Sequence, residues 1–202
     1  MGMRLFVGLD ITEGIRQRVA DYMSGLKKKF PEVKWVDTEL LHVTLKFIGE
    51  NEQIEEIQHL LSNVQVSPLD MTFKETGFFS PRAPRVFWIG VHASHSLAEL
   101  ALQVDHALAS LNIPRETLAF HPHLTLAREG SGRPQGGAED RGKGRMHKLY
   151  EHVQKHHAPE FGTMTCRQFV LFKSVLTQSG PLYTPIERYI LKKEHTGIIL
   201  PS

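Results

Sequence analysis

The chain has 202 residues, of which 41% are hydrophobic and 23% are charged, a composition typical of a soluble globular protein. The formal net charge of +2 only weakly favours a nucleic-acid partner. A single cysteine, Cys166, excludes an intrachain disulfide and a cysteine-based zinc site, so we expect a reducing, cytoplasmic compartment. No apolar run reaches 18 residues and residues 1–10 lack signal-peptide features, so no membrane association is expected.

Hydrophobic periodicity predicts alternating strands and helices in the first two thirds of the chain. In chain order, the predicted elements are a strand at 4–9, a helix capped by Thr12, a strand ending at Gly49, a helix capped by Asn51, strands at 71–79 and 86–91, a helix capped by Ser94, and a strand around 121–128.

The last third begins with a Gly-rich, charged segment at 129–145, which is predicted to be a flexible loop. Part of this segment nearly matches a phosphate-binding P-loop, but Gly144 stands where the P-loop needs a hydroxyl, so we reject that function. A short helix at 146–153 and strands at 163–176 and 183–191 should follow, the strands forming a hairpin. The order of elements predicts an α+β fold with helices packed outside mixed or antiparallel sheets.

Two of the predicted strands carry the same pattern, His-x-Thr-Leu, at residues 42–45 and 123–126. Because side chains alternate along a strand, His42 shares a face with Thr44, and His123 shares one with Thr125. The simplest arrangement is a duplicated fold in which one such strand from each half faces a central cleft. The alternative for each motif is a pair of polar residues on a solvated strand face, which the matching contexts disfavour.

This pairing of residue types suits the attack of water on a strained phosphodiester. One histidine can act as a base and the other as an acid, while threonine hydroxyls hydrogen-bond phosphoryl oxygens. Arg128 offers a fixed charge with a fork geometry suited to phosphate, but strict alternation points it away from His123 unless the strand ends or bulges there. Strict alternation also places Phe47 on the buried face.

A metal site is a weaker alternative. His121 and His123 share a strand face, but zinc usually takes three or four ligands and no carboxylate lies in either motif. His156 and His157 are expected on a solvated surface near the loop, with contact to a substrate as the less favoured alternative. Cys166 is expected to be a packed core thiol.

At these residues the chain resembles the 2H phosphoesterases, and within them the bacterial and archaeal RNA 2′,3′-cyclic phosphodiesterases once called 2′-5′ RNA ligases. The resemblance is carried by residues 3–10, 35–36, 41–50, 84–91 and 120–128. It implies a single domain over residues 1–202, built from two pseudo-symmetric α+β lobes around a cleft. It also implies metal-independent, cofactor-free hydrolysis of a 2′,3′-cyclic phosphate to a 2′-phosphomonoester.

The resemblance further implies a role for each matching residue. His123 would activate water and His42 would protonate the departing 3′-oxygen. Thr44 and Thr125 would hold phosphoryl oxygens with help from Arg128, and Phe47 would stack near the terminal base. The expected partners are RNA 3′ ends or small 2′,3′-cyclic nucleotides, bound by a monomer. Reversible 2′-5′ RNA ligation and a non-catalytic module that binds RNA ends are the alternatives.

Overall fold

A computed structural model describes residues 2–129, 144–178 and 180–192. Within these residues, nine strands form one curled antiparallel sheet and four α-helices cover its outer side. The strands are β1 (Met3–Asp10), β2 (Lys34–Trp35), β3 (His42–Asn51), β4 (Leu69–Phe79), β5 (Val86–Ala93), β6 (His123–Arg128), β7 (Gly162–Cys166), β8 (Gln168–Thr177) and β9 (Gly180–Ile190). The helices are α1 (Glu13–Lys29), α2 (Ile54–Ser62), α3 (His95–Leu108) and α4 (Arg145–Val153), with short 3₁₀ turns at Thr38–Leu40 and Ala109–Leu111.

The sheet has two lobes that meet at a narrow junction. Its strand order is β7-β4-β5-β6-β3-β1-β8-β9, and β2 pairs with β6 beside the main path. We call β3-β1-β8-β9 the first lobe and β6-β5-β4-β7 the second lobe. The junction strands β3 and β6 pair through Val43 and Leu124 alone. The predicted bilobal α+β fold is confirmed, and this one pairing makes the two lobe sheets continuous.

Each lobe is completed by elements from the other half of the sequence. Helix α3 packs on β3 and α2 contacts α3 and β9, so both cover the first lobe. Helix α1 reaches β7 in the second lobe, where Arg18 donates a hydrogen bond to the Phe161 carbonyl at 2.9 Å. If the short strands β2 and β7 are left aside, the order β1-α1-β3-α2-β4 recurs as β5-α3-β6-α4-β8, as expected of a duplicated arrangement.

The single strand predicted at 163–176 is wrong. The segment forms two strands separated by Arg167, with β7 paired to β4 at one end of the sheet and β8 paired to β1 in the other lobe. An alternating pattern records which face is buried, but it does not record which strand lies alongside. The hairpin predicted at the end of the chain is confirmed, since β8 and β9 pair up to Thr177 and Gly180.

Two of the three predicted helix caps are confirmed by position. Thr12 and Ser94 occupy the N-cap of α1 and α3, although neither side chain caps a backbone amide. The cap predicted at Asn51 is wrong, because Gln53 precedes α2. Asn51 instead accepts a hydrogen bond from the Gln53 amide at 2.7 Å, which forms a turn between β3 and α2.

The core lies between the sheet and its helices, with buried phenylalanines such as Phe73 and Phe87 at its centre. Cys166 is buried there, as predicted. None of the helices in the described parts of the chain is long and apolar enough to cross a membrane. Residues 130–143, the bulk of the loop predicted at 129–145, lie outside the described residues.

Candidate active site

The junction between the lobes brings the two His-x-Thr motifs together. In an antiparallel pair the register continues on either side of Val43 and Leu124. His42 therefore lies across from Thr125, and Thr44 lies across from His123. Val43 and Leu124 are fully buried, whereas the four polar side chains lie on the concave face and are partly exposed. The two histidines occupy diagonal corners of this group, which we call the junction quartet.

A β-bulge follows the threonine of each motif. Along β1, Gly8 faces Thr44 and Val7 faces Lys46, which leaves Leu45 as the extra residue. The bulge reverses the alternation, so that Leu45 and Lys46 are both buried and Phe47 emerges on the concave face with 62% of its surface exposed. The expectation that Phe47 points into the core is therefore wrong.

The second motif has the same bulge at the equivalent place. Along β5, Trp88 faces Thr125 and Phe87 faces Ala127, so Leu126 is the extra residue. Arg128 is thereby returned to the concave face, which meets the condition that the alternation argument set for it. Its Nη2 lies 3.5 Å from the Thr125 hydroxyl as a hydrogen-bond donor. Phe47 and Arg128 thus occupy equivalent positions at opposite ends of the junction quartet.

Both histidines are held in the same tautomer. The Nδ1 atom of His42 lies 2.7 Å from the Leu40 carbonyl, and that of His123 lies 2.7 Å from the His121 carbonyl. A carbonyl oxygen can only accept, so each Nδ1 carries the proton. Each Nε2 of the neutral ring is then free to accept a proton from, or after protonation to return one to, a group in the cleft.

Burial lowers the pKa of both histidines, and the hydrogen bond from each ring to its carbonyl only partly opposes this shift. The positive charge of Arg128 lowers both pKa values further, which shows that its guanidinium acts on the motifs of both lobes. The charged groups that act on the two rings are otherwise different. Asp10 lies across from His42 and its carboxylate raises that pKa, whereas Gly90 lies across from His123.

Aromatic rings from neighbouring strands support the two imidazoles. The His42 ring lies 4.8 Å from Phe6 and 5.2 Å from Tyr183, which stands perpendicular to it. The His123 ring packs perpendicular to Phe79 at 4.8 Å. These three aromatic residues were not singled out from the sequence, because the only signal for them is the order and register of the strands.

A largely apolar pocket of about 580 Å³ opens beside the Thr44 and His123 end of the junction quartet. Its walls come from residues 44–47 of β3, from α3 and from the segment that leads into β6. The apolar lining includes Phe47, Leu102, Leu118 and Phe120. A smaller hollow of about 180 Å³ lies at the other end, beside His42, with Asp10, Tyr183 and Arg188 in its wall.

A buried ion pair that the sequence did not reveal forms one side of the larger, apolar pocket. The Lys46 ammonium lies 2.6 Å from Asp105, with side-chain exposures of 1% and 8%. Asp105 also accepts hydrogen bonds from the Arg115 guanidinium at 3.2 Å and the Glu116 amide at 3.0 Å. Burial raises the pKa of Asp105, but these three donors outweigh it and lower the pKa overall. The network ties the pocket wall to α3 and β3.

The remaining predicted histidines divide by position. His121 is exposed, and its ring packs against Phe79, which also contacts the His123 ring. His156 stacks on His152, which contacts Phe30 at the end of α1, so this pair belongs to the helix layer. His157 is exposed. Across residues 2–129, 144–178 and 180–192, no three histidine, cysteine or acidic side chains are grouped so that they could hold a metal.

Comparison with known protein families identifies the family of this chain. The family described as LigT like phosphoesterase matches the chain twice, at residues 9–88 and 89–183. The chain belongs to this family. Each matched segment contains one His-x-Thr motif, and the resemblance to 2H phosphoesterases is confirmed.

Relatives of this LigT-like phosphoesterase carry a common name. RNA 2′,3′-cyclic phosphodiesterase of Archaeoglobus fulgidus is 35% identical over 184 residues, which cover 90% of this chain and 96% of the relative. The protein of that name from Methanocaldococcus jannaschii is 32% identical over 190 residues, which cover 93% and 100% of the two chains.

Solved structures share the fold. A protein from Thermus thermophilus has a TM-score of 0.75 and 26% identity, with 96% of this chain and 100% of that chain covered. E. coli LigT, crystallised with 3′-AMP, has a TM-score of 0.72 and 24% identity over the same shares of the two chains.

Proposed function

We propose that this LigT-like phosphoesterase is a hydrolase that opens the 2′,3′-cyclic phosphate at an RNA end, or in a small cyclic nucleotide, to give a 2′-phosphomonoester. The observation that carries the proposal is the junction quartet, in which two histidines with free Nε2 atoms stand at diagonal corners. The names of the Archaeoglobus and Methanocaldococcus relatives support the same reaction.

The diagonal placement suits in-line displacement at phosphorus. A base and an acid must stand on opposite sides of the phosphorus atom, because the attacking and leaving oxygens are roughly in line. We infer that His123 takes a proton from water as the water oxygen bonds to phosphorus. The bond from phosphorus to the 3′-oxygen breaks, and protonated His42 gives its proton to that oxygen. The proton gained by His123 balances the one lost by His42.

One difference between the two halves supports the assignment of acid and base. Asp10 favours the protonated form of His42, as an acid requires, and no carboxylate contributes to the pKa of His123. Thr44 and Thr125 are placed to donate hydrogen bonds to the non-bridging oxygens, and Arg128 supplies the fixed positive charge. With these groups the reaction is proposed to need neither a metal nor another cofactor.

Phe47 is proposed to hold the terminal base. Its ring is mostly exposed and lies at the mouth of the apolar pocket, where a base can stack. A base at this end places the 2′ side of the ribose towards Thr44 and His123, because the base is attached to the carbon beside C2′. The 3′-oxygen then lies towards His42, consistent with release of that oxygen and formation of a 2′-phosphate.

We further infer a single domain over residues 1–202 that works as a monomer in the cytoplasm. One continuous sheet spans both lobes, and each lobe needs helices from the other half of the sequence. The quartet is complete within one chain. The buried single thiol of Cys166 fits a reducing compartment.

The decisive experiment identifies the product. Purified protein is incubated, with a chelator present, with nucleoside 2′,3′-cyclic monophosphates and with a short RNA that carries the same end. We expect a 2′-phosphate from both. A 3′-phosphate would overturn the assignment of His42 as the acid for the 3′-oxygen, and activity lost with the chelator and restored by metal would overturn metal independence.

The same protein and RNA distinguish hydrolysis from the two alternative functions. Reversible ligation uses the same acid and base in the opposite direction, so RNA with a 5′-hydroxyl is added and joined product is sought. A non-catalytic module would bind the cyclic-phosphate end without turnover from pH 5 to 9.

A further inference from the structure

A two-residue strand places a lysine beside Arg128. In β2, Lys34 pairs with Arg128 and Trp35 pairs with Ala127. The Trp35 ring packs on buried Phe87 and against the core, so it lies on the core side of the sheet. Because neighbouring residues in a strand point to opposite faces, Lys34 points to the concave face, as Arg128 does.

The two cations are close together on one face of the sheet. Directly opposed residues in an antiparallel pair have Cβ atoms about 5 Å apart, and like charges in this position are destabilising. Neither Lys34 nor Arg128 forms an ion pair within the described parts of the chain. The neighbouring carboxylate of Glu129 lies 3.6 Å from Arg85 instead. An exposed pair of this kind on the wall of a cleft attracts an anion.

The pair lies at the end of the cleft where an RNA chain would leave. The base and the 5′ carbon are attached to the ribose on opposite sides of the ring oxygen, so a base on Phe47 directs the 5′ carbon towards Arg128. Thr125 and Arg128 are separated by about 10 Å of extended strand at most, and the bulge shortens this distance. The long side chain of Lys34 can therefore reach a phosphate one nucleotide away from the reacting phosphate.

We propose that Lys34 binds the phosphodiester on the 5′ side of the terminal nucleotide, so that the enzyme prefers an RNA end to a mononucleotide. This inference rests on the proposed function and adds the substrate class to it. Arg128 donates a hydrogen bond to Thr125, which lies beside the reacting phosphate in this proposal. Lys34 extends the positive surface to the next phosphate of the RNA.

The test compares two substrates that differ in this phosphate. A nucleoside 2′,3′-cyclic monophosphate lacks it, whereas a trinucleotide that ends in a cyclic phosphate has it. For Lys34→Gln we expect kcat/KM on the trinucleotide to fall about tenfold or more, as for loss of a charge-assisted hydrogen bond. On the mononucleotide we expect a change below twofold. The slope of log kcat/KM against log salt should become shallower by about 0.7 on the trinucleotide.

Lys28→Gln is the matched control, since it removes the same charge from an exposed position on α1. This variant should leave kcat/KM unchanged on both substrates. An equal loss on both substrates with Lys34→Gln would overturn the proposal, and so would no loss on either.

A binding measurement keeps this test separate from that of the activity. If the wild-type protein turns over neither substrate, the proposed function fails, but fluorescence anisotropy with a labelled trinucleotide ending in a 3′-phosphate still tests the site. Lys34→Gln must then weaken binding about tenfold or more and flatten its salt dependence. Unchanged affinity would overturn the phosphate site.

Discussion

Replacing Asp105 by leucine should destabilise the fold strongly, because it leaves the Lys46 ammonium buried without its carboxylate. That ammonium is 1% exposed, and among the residues that the structure describes it would retain only the Pro114 carbonyl and the half-exposed Glu116 carboxylate at 3.7 Å. Removal of one partner from a buried pair costs about 3–5 kcal/mol. With an m value of about 2 kcal/mol/M in urea, the unfolding midpoint should fall by about 1.5–2.5 M.

Replacing the other partner, Lys46→Met, should cost less stability. Asp105 would keep the Arg115 guanidinium and the Glu116 amide, and it can reach solvent more readily than Lys46. The double variant Lys46→Met/Asp105→Leu should be more stable than the sum of the single effects predicts, because no buried charge is left alone.

Urea unfolding followed by tryptophan fluorescence and by circular dichroism measures all three variants. Arg85→Gln is the control, because it breaks an ion pair whose side chains are 76% and 46% exposed and should cost less than about 1 kcal/mol. An Asp105→Leu variant within about 1 kcal/mol of the wild type would refute the reasoning, since it would lie below the range for a broken buried pair. Additive effects in the double variant would show that the two charges are not coupled.

Three further predictions concern the reaction. His42→Ala and His123→Ala should each lower kcat about 10²–10⁴-fold, and the double variant should lose far less activity than the product of the two single losses predicts. His59→Ala, on the exposed face of α2, is the control and should leave kcat unchanged. Near-wild-type turnover in either single variant would remove that residue from the mechanism. The profile of kcat/KM against pH should be bell-shaped and centred below about 6.5, the ordinary histidine pKa, because burial lowers the pKa of both histidines. Arg128→Gln removes a charge that lowers both pKa values, so both limbs should move to higher pH, and a shift to lower pH would contradict the electrostatic role. Phe47→Ala should raise KM for cyclic nucleotides more than it lowers kcat, whereas Phe47→Tyr should retain the wild-type KM; equal KM values in both variants would exclude stacking.

The arrangement within each motif could be predicted from the sequence more fully than the meeting of the two motifs. His42 and Thr44 share a face because neighbouring positions in a strand alternate, which is a local property of the backbone. The same holds for His123 and Thr125. The pairing of the two strands depends on residues about 80 positions apart, and the repeated motif was the only indication of it.

The bulges mark the limit of the local rule. An alternating pattern assumes that every residue of β3 and β6 has a partner, and the extra residues Leu45 and Leu126 break that assumption. The orientations of Phe47 and Arg128 follow from these two insertions. Nothing in the neighbouring residue types indicates them, because an apolar residue fits the core in either register.

The sequence by itself determined the two His-x-Thr strands, the α+β class and the family, because face alternation, helical spacing and motif chemistry are written in residues close together in the chain. Only the tertiary structure decided which side chains surround the histidines and which cations line the cleft. Phe6, Tyr183 and Phe79 reach the two rings from other strands, and the partner of Lys46 lies 59 residues away on α3. These contacts depend on the strand order and register of the whole sheet, which are set by packing between segments distant in sequence.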